Sequence, residues 1–477
     1  RKELLSTFDE IYILNLHGSS RIGEKTPEGG KDGNVFDIQQ GVAIVIYVKL
    51  EKPLKEKKVY YADVWGLQNE KYEYLRKNDV TSTDWQELDV YKFEEQFSKT
   101  RWSKKYKTGF YFFTPKSVQA LLTYGNYWGV DEIFGKWSSG VETRKDYLTT
   151  DISKNHLKDR VLQFTNQQNT DEALTATYKI KKSRDWVLRE VREVLFRRGF
   201  DSNLLINYSY RPFDNRWIYF EDKFIAYPFR RIFNFGRSNL YLSTQRSTSA
   251  SWEHILVNKY VVDKHCTGEL SYSFPLYLYP EKSQRLLSGE GLSEANPIVN
   301  FNADFLKAIK EALGAEPAPE EIFYYIYAVL YAPTYRKRYE DFLKFDFPRV
   351  PLPTDYELFK KLSDLGKELA DLHLLKDSAL QKRGREIGFP VSGTNTVEKV
   401  SYDEENKRVY FNKVQYFESI SKEIWEYRIG AYQVLAKYLK DRKGRELTWE
   451  EIEHYGKVAK AIKRTVEVQG KVDEAMG

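Results

Sequence analysis

The chain begins with two apolar stretches that are separated by a polar one. The first is FDEIYILNLHG at residues 8–18, and the second is GVAIVIYVKL at residues 41–50. The residues between them, SSRIGEKTPEGGKDG, are rich in glycine and charge, which favours a loop. The pattern predicts strand, loop and strand, and the continuous apolar character of the second strand predicts that it is buried. Two such strands fit the end of an α/β sheet.

Further along the chain, the periodicity indicates a strand-rich part followed by a helical part. Apolar residues recur at helical spacing in EEIFYYIYAVLY at residues 320–331, and leucines recur in the same way between residues 358 and 372. The C-terminal segments EIWEYRIGAYQVLAKYL and EEIEHYGKVAKAIKRTVEV predict one helix each. A β-hairpin is predicted near residues 397–417, around the turn DEEN.

These elements predict an α+β, multidomain chain. At 477 residues the chain exceeds the usual size of one domain, and we expect two to four. The predicted parts are residues 1–50 with two strands, 51–154 of mixed character, 155–300 rich in strands, and 301–477 as a helical lobe that carries the hairpin.

Composition narrows the class of protein. Hydrophobic residues make up 41% of the chain, but no long run is free of charge, so we expect a soluble protein that does not span a membrane. The first residues, RKELLSTFDE, lack the apolar core of a signal peptide, and together with the lone cysteine this leads us to expect a cytoplasmic location. The single cysteine, Cys266, excludes internal disulfides and a cysteine-based zinc site. The chain starts without Met and with apolar residues at helical spacing, and we therefore expect a fragment that begins inside a fold.

Most catalytic patterns fail when they are tested against the sequence. GVDEIFGKW at residues 129–137 resembles a phosphate-binding loop, but its glycines are too far apart and Trp137 replaces the hydroxyl that would bind magnesium. The six histidines show no paired metal spacing, and we expect no metal site. Nothing in the sequence favours a catalytic triad.

The segment NVFDIQQGVAIVIYVK at residues 34–49 contains a candidate ligand-binding residue, Phe36. Phe36 lies between the polar loop and the second strand, where its ring could be exposed while Val42, Ile44 and Ile46 anchor the backbone. Such a ring could stack on a base. The alternative is that Phe36 is an ordinary core residue.

Two segments that mix basic and aromatic residues are candidates for DNA contact, because arginine can bind phosphates or pair with guanine. Residues 210–239 contain Arg211, Arg216, Arg230, Arg231 and Arg237, and residues 101–107 contain Arg101, Lys104 and Lys105. The alternative for the first segment is a strand-rich surface on which Asp214, Glu221 and Asp222 neutralise some of the arginines.

Nearly the whole chain resembles one family. FDEIYILNLHGSSR and NVFDIQQGVAIVIYVK resemble the gamma-class adenine-N6 methyltransferase domain of type ISP single-polypeptide restriction-modification enzymes. SYRPFDNRWIYF, SYSFPLYLYP, PEEIFYYIYAVLYAPTYRKRYEDFLKFDFPRVPL, LGKELADLHLL and YQVLAKYLKDRKGR resemble the target recognition region of the same family. The likeness is loosest over residues 51–200.

The resemblance implies transfer of a methyl group from S-adenosylmethionine to an adenine that is flipped out of duplex DNA, a phage-defence chemistry. It places residues 1–50 at the end of a Rossmann-like methyltransferase sheet and residues from about 155 onward in the DNA-recognition lobe. Phe36 matches the residue that stacks on the target adenine, with Gln39 and Gln40 nearby. The family's N-P-P-Y tetrapeptide and glycine-rich turn are absent here, so we expect this segment alone to bind no cofactor and to be inactive.

The resulting hypothesis is a chain that recognises an asymmetric site in double-stranded DNA and presents one adenine to a separate N-terminal methyltransferase half. Two alternatives stay open. The chain could be a noncatalytic protein-interaction scaffold, or the recognition part of another methyltransferase-bearing defence enzyme.

Overall fold

A computed structural model of the chain describes residues 1–20, 23–106, 111–229, 232–233, 238–268, 270–279, 296–381 and 386–477. It is an α+β structure, as the sequence predicts. The chain forms two compact units. Unit 1 comprises Arg1–Gly129, Ser249–Ser251 and Arg338–Lys344, and unit 2 comprises the rest. None of the described helices is long and apolar enough to cross a lipid bilayer.

The N-terminal part of the chain, up to Gly129, alternates short helices and strands. Its elements are α1 (Lys2–Thr7), β1 (Glu10–Asn15), β2 (Ala43–Val48), β3 (Lys58–Asp63), α2 (Gln68–Lys77), β4 (Gln86–Leu88), α3 (Val90–Ser98), α4 (Arg101–Tyr106), α5 (Val118–Asn126) and β5 (Trp128–Gly129). The first four strands form one sheet in the order β2-β1-β3-β4. β1 and β3 are parallel, with Tyr12 opposite Tyr60, and β2 and β4 are antiparallel to their neighbours.

Apolar side chains alternate across this sheet, so each face packs against different elements. One face, with Ile11, Ile13 and Val59, packs against residues from α1 and α3. The other face, with Leu14 and Ala62, packs against residues of the β1–β2 loop and of α2. The central strands β1 and β3 are therefore covered on both faces.

The prediction that the second strand is buried is wrong in this chain. β2 is an edge strand of the sheet, and its residues 43–47 are exposed. Ile44 and Ile46 are 40% and 38% exposed, so they do not anchor the backbone near Phe36 as predicted. An edge strand can have the same sequence pattern as a buried strand, because periodicity reports apolar character and not which segments cover the strand.

The first half of unit 2 is rich in strands. The elements up to residue 299 are α6 (Val130–Ile133), β6 (Ser138–Ser139), α7 (Asp146–Thr149), β7 (Thr150–Asp151), α8 (Lys154–Thr165), α9 (Asp171–Tyr178), α10 (Leu188–Arg198), a 3₁₀ turn (Ser202–Leu204), β8 (Leu205–Arg211), β9 (Asp214–Tyr219), β10 (Tyr241–Gln245), β11 (Ile255–Asn258), β12 (Val261–Val262), β13 (Ser271–Pro275), β14 (Tyr277–Leu278) and β15 (Ile298–Val299). Two four-stranded sheets result, in the orders β11-β10-β13-β6 and β12-β8-β9-β7.

The second half of unit 2 is mainly helical. Its elements are α11 (Ala303–Leu313), α12 (Pro319–Tyr331), α13 (Pro333–Leu343), β16 (Arg349–Val350), α14 (Tyr356–His373), α15 (Ser378–Gln381), β17 (Ser401–Asp403), β18 (Arg408–Tyr410), β19 (Tyr416–Phe417), α16 (Lys422–Glu426), β20 (Arg428–Ile429), β21 (Tyr432–Gln433), α17 (Val434–Lys440) and α18 (Trp449–Met476). α13 contributes its residues from Arg338 onward to unit 1. β17 and β18 pair antiparallel around the turn at 404–407.

The helical core centres on α12, which packs against α14 and α18. From Ile322 to Tyr331 nearly every residue of α12 is buried, as expected for a helix that is apolar all round. Gly366 of α14 permits close packing against α12, since a Cβ there would lie 1.9 Å from the carbonyl oxygen of Tyr324. The helices predicted at 320–331 and 358–372 are thus present.

One predicted helix is interrupted. Residues 423–439 form α16, a two-stranded turn of β20 and β21, and α17. Gly430 at the turn has φ +58°, and a Cβ there would meet the carbonyl oxygen of Thr267 at 1.7 Å. The chain reverses where only glycine fits.

Candidate nucleic-acid interface

Phe36 is held outward by buried neighbours in unit 1. The ring is 57% exposed, whereas Val35 is only 2% exposed and packs in the core beneath the sheet. The amide of Gln68 donates to the carbonyl of Val35 at 3.1 Å, and the Oδ1 of Asn34 accepts from the Phe36 N–H at 2.8 Å. The backbone on the N-terminal side of Phe36 is therefore fixed while its aromatic face is open to a ligand.

Phe36 lines an open cleft of about 580 Å³, a volume typical of small-molecule sites. The cleft is lined by Gly18, Ser20, Lys31, Asp32, Gly33, Asn34, Phe36, Asp37, Ile38, Gln39, Leu67, Gln68 and Asn69. Of the two predicted neighbours, Gln39 lines the cleft, and Gln40 is exposed next to it in the chain. Sequence reasoning missed Gln68 and Asn69 because they come from α2, far along the chain.

A buried ion pair fixes the loop that forms this cleft. The ammonium of Lys71 on α2 lies 2.8 Å from Asp32, and both side chains are fully buried. The same ammonium donates to the carbonyl oxygens of Leu16 and Gly33 at 2.6 and 2.7 Å. Asp32 in turn accepts from the N–H of Gly18 at 2.6 Å. One lysine thus ties the end of β1 and the far end of the loop to α2.

His17 fixes the near end of the same loop, just after β1. Its Nδ1 lies 2.9 Å from Glu24 and its Nε2 lies 2.6 Å from Asp63, at the end of β3. The imidazole also stacks on Trp65, with ring centroids 3.3 Å apart. This places charged groups at the carboxyl ends of the parallel strands β1 and β3, the usual position of ligand sites in such sheets.

Two of the arginines that the sequence singled out lie in unit 2 with largely buried side chains. Arg211 ends β8, and its guanidinium lies 2.7 Å from Asp263. Burial would raise the pKa of Asp263, but hydrogen bonds from His265 and the charge of Arg211 lower it below its usual value. The pair is therefore ionised, and contact between Arg211 and DNA, which stays a prediction, would require it to open.

Arg216 lies in a second buried network, in which Asp214 is central. Asp214 contacts Arg216 and Arg442, each at 2.9 Å, and Arg442 also pairs with Glu451 on α18. Although burial opposes it, the charges of Arg442 and Arg216 lower the pKa of Asp214. The network joins the β8–β9 hairpin to the C-terminal helices and holds the Arg216 side chain in ion pairs. DNA contact by Arg216 also stays a prediction.

The other six predicted DNA contacts belong to residues 230–237 and to α4. Arg230, Arg231 and Arg237 lie outside the described residues. In unit 1, α4 carries the other three. The guanidinium of Arg101 lies 3.4 Å from the centre of the Trp128 ring, Lys104 is exposed, and Lys105 is half-buried. Within the described residues, no cluster of His, Cys, Asp and Glu could hold a metal ion.

Comparison of the sequence with known protein families gives one match over most of the chain. A sequence model described as the Type ISP C-terminal specificity domain matches residues 132–470. No curated protein matches the chain.

Among the solved structures with a similar fold, three examples each cover 98% of this chain. A nuclease-deletion mutant of the Type ISP restriction-modification enzyme LlaGI, in complex with a DNA substrate mimic, has 19% identity and a TM-score of 0.64. The ATP-dependent Type ISP enzyme LlaBIII bound to DNA has 21% identity and a TM-score of 0.69. A DrdV–DNA complex has 20% identity and a TM-score of 0.66. The chain spans 37%, 31% and 48% of these three chains, respectively.

Proposed function

The chain belongs to the Type ISP C-terminal specificity domain family, and from this membership we propose that it recognises a specific sequence in double-stranded DNA within a restriction-modification enzyme. The family match over residues 132–470 carries the proposal. The DNA-bound states of LlaGI, LlaBIII and DrdV, whose folds it shares, support it.

The recognition serves adenine-N6 methylation by a second, N-terminal half that holds S-adenosylmethionine. Unit 1 contributes its sheet to that half. The support is β2, an edge strand whose residues Ile44, Val45, Ile46 and Tyr47 are each at least 38% exposed. Such a continuous apolar strand is a hazard for aggregation unless another segment covers it. A neighbouring strand and flanking helices of the methyltransferase half would do so.

Phe36 stacks on the target adenine after the base leaves the duplex. Its exposed ring, its fixed backbone and the cleft beside it support this role. Polar side chains line the cleft, among them Gln39 and Asn69, and amide groups of this kind accept and donate hydrogen bonds at base edges. The three predicted contacts on α4 and the arginines of residues 210–239 belong to the same proposal as candidate contacts to DNA.

Substitution of Phe36 in the full enzyme tests the stacking role. Phe36→Ala should reduce the methylation rate by about 5- to 150-fold, since base–aromatic stacking contributes about 1–3 kcal/mol. Phe36→Tyr keeps an aromatic ring and should retain most activity. Val414→Ala, which truncates a side chain that is 60% exposed in unit 2, is the control for loss of exposed apolar surface. Equal rates for Phe36→Ala and the control would remove the stacking role.

DNA binding itself is tested by the fluorescence anisotropy of a labelled duplex at increasing salt. A protein that contacts several phosphates must lose affinity steeply as salt rises, because bound cations are released from DNA when it binds. A scaffold that assembles through apolar surfaces would show no such loss.

A further inference from the structure

A basic loop in unit 2 belongs to neither predicted segment. Residues 179–184, KIKKSR, connect α9 to α10, and four of the six side chains carry positive charge: Lys179, Lys181, Lys182 and Arg184. All four residues are exposed. Arg184 pairs with the adjacent Asp185, and the Arg184 side chain is 95% exposed.

The charge of this loop is poorly compensated. Within the part of the chain that the structure describes, no carboxylate lies within 4 Å of the ammonium of Lys179, Lys181 or Lys182. Exposed lysines elsewhere, such as Lys99 and Lys307, each pair with a glutamate four residues away in the chain. The loop therefore presents a local positive potential that an anion would neutralise.

A fifth cation contacts the loop from outside it. The ammonium of the buried residue Lys145 donates to the carbonyl oxygen of Lys181 at 2.6 Å. Burial, and then the charge of Lys181, lower the pKa of Lys145. The two positive charges oppose each other in the free protein, so an anion placed at the loop would relieve repulsion as well as gain attraction.

The loop is also anchored by contacts at both of its ends. Trp186, 4% exposed, anchors its end in the core, and its indole N–H donates to the carbonyl of Phe224 at 2.9 Å. Ser183 bridges to Trp186, and the Ile180 N–H donates to the carbonyl of Thr175 at 3.0 Å. Binding to an ordered loop loses less conformational entropy than binding to a flexible tail.

We propose that loop 179–184 binds phosphates of duplex DNA, with the buried Lys145 adding positive charge next to the loop. The proposal rests on the proposed function. Lysine is a flexible point charge with no preferred base partner here, so the loop positions the duplex and does not read its sequence. In this proposal the loop orients the DNA, and recognition of the bases is left to other residues.

The salt dependence of binding in the variant Lys181→Gln/Lys182→Gln tests this inference. The full chain is titrated against a labelled mixed-sequence duplex from about 50 to about 200 mM salt. Loss of two phosphate contacts should reduce the slope of log K against log salt by about 1.8, because each contact contributes about 0.9. Affinity should fall by the same factor for any duplex sequence.

The matched control is Lys307→Gln/Lys310→Gln on α11, which removes the same charge from lysines that pair with Glu311 and Glu316. Its slope should equal that of the wild type. A wild-type slope for Lys181→Gln/Lys182→Gln overturns the phosphate contact and leaves the proposed function standing. Salt-independent binding, or no binding, by the wild type overturns the proposed function and this inference with it.

Discussion

Replacement of Lys71 by methionine tests how the loop that carries Phe36 is held in place. The substitution keeps an unbranched side chain but removes the cation that lies 2.8 Å from Asp32 and donates to two carbonyl oxygens. Since both side chains of the pair are fully buried, water cannot replace the lost contacts. The Asp32 carboxylate would be left buried without its counter-charge.

Breaking one partner of a buried ion pair costs about 3–5 kcal/mol, so we expect Lys71→Met to destabilise unit 1 by this amount. Lys99→Met is the control, because Lys99 pairs with Glu95 through side chains that are about 70% exposed. An exposed pair of this kind contributes less than about 1 kcal/mol. The two substitutions make the same chemical change and differ in burial.

The assay is hydrogen exchange of the full chain, read from peptides that cover β1 and β3, combined with urea denaturation. The double variant Asp32→Asn/Lys71→Met removes both charges and should recover part of the loss, which a double-mutant cycle measures as coupling. If Lys71→Met and Lys99→Met change the exchange of β1 and β3 equally, the ion pair does not hold the loop as argued.

Two further predictions concern unit 2. Gly366→Ala should destabilise the protein by about 1–3 kcal/mol in thermal denaturation, because the new Cβ would lie 1.9 Å from the carbonyl oxygen of Tyr324. The control is Gly456→Ala on α18, where a Cβ would meet no atom within 4 Å and the change should be neutral or stabilising. Equal effects of the two substitutions would contradict the close packing of α12 and α14. Burial, and then the charge of Arg336, lower the pKa of His373 from 6.5 to about 3. Between these two pH values the unfolded chain binds more protons than the folded chain, so the free energy of unfolding should fall as the pH drops below 6.5. Urea midpoints across this pH range should fall less for His373→Gln than for the wild type, and an identical fall would refute the assignment.

Sequence periodicity predicted β1, α12 and α14 because local apolar spacing is enough to specify them. It did not predict that β2 is exposed, since an edge strand and a central strand can have the same composition. It also missed the turn at Gly430, whose cause is the backbone of Thr267, more than a hundred residues away in the chain.

The candidate site was likewise predicted only in part, because some of its features depend on residues that are distant in the chain. The exposure of Phe36 was predicted from its place after a polar loop and is present, although the groups that anchor it are different ones. The burial of Arg216 could not be predicted, because Asp441, one of its partners, is distant in sequence. The basic loop 179–184 carried a visible signal, the dense run KIKKSR, but only the structure shows that these charges lack neighbouring carboxylates.

Selection of bound duplexes from a random-sequence pool by the purified chain, at two salt concentrations, tests the central claim most directly. We expect enrichment of one short asymmetric motif that contains adenine, with lower recovery but the same motif at the higher salt. Failure to retain any duplex at the lower salt concentration would contradict DNA recognition and favour a scaffold that assembles with other proteins.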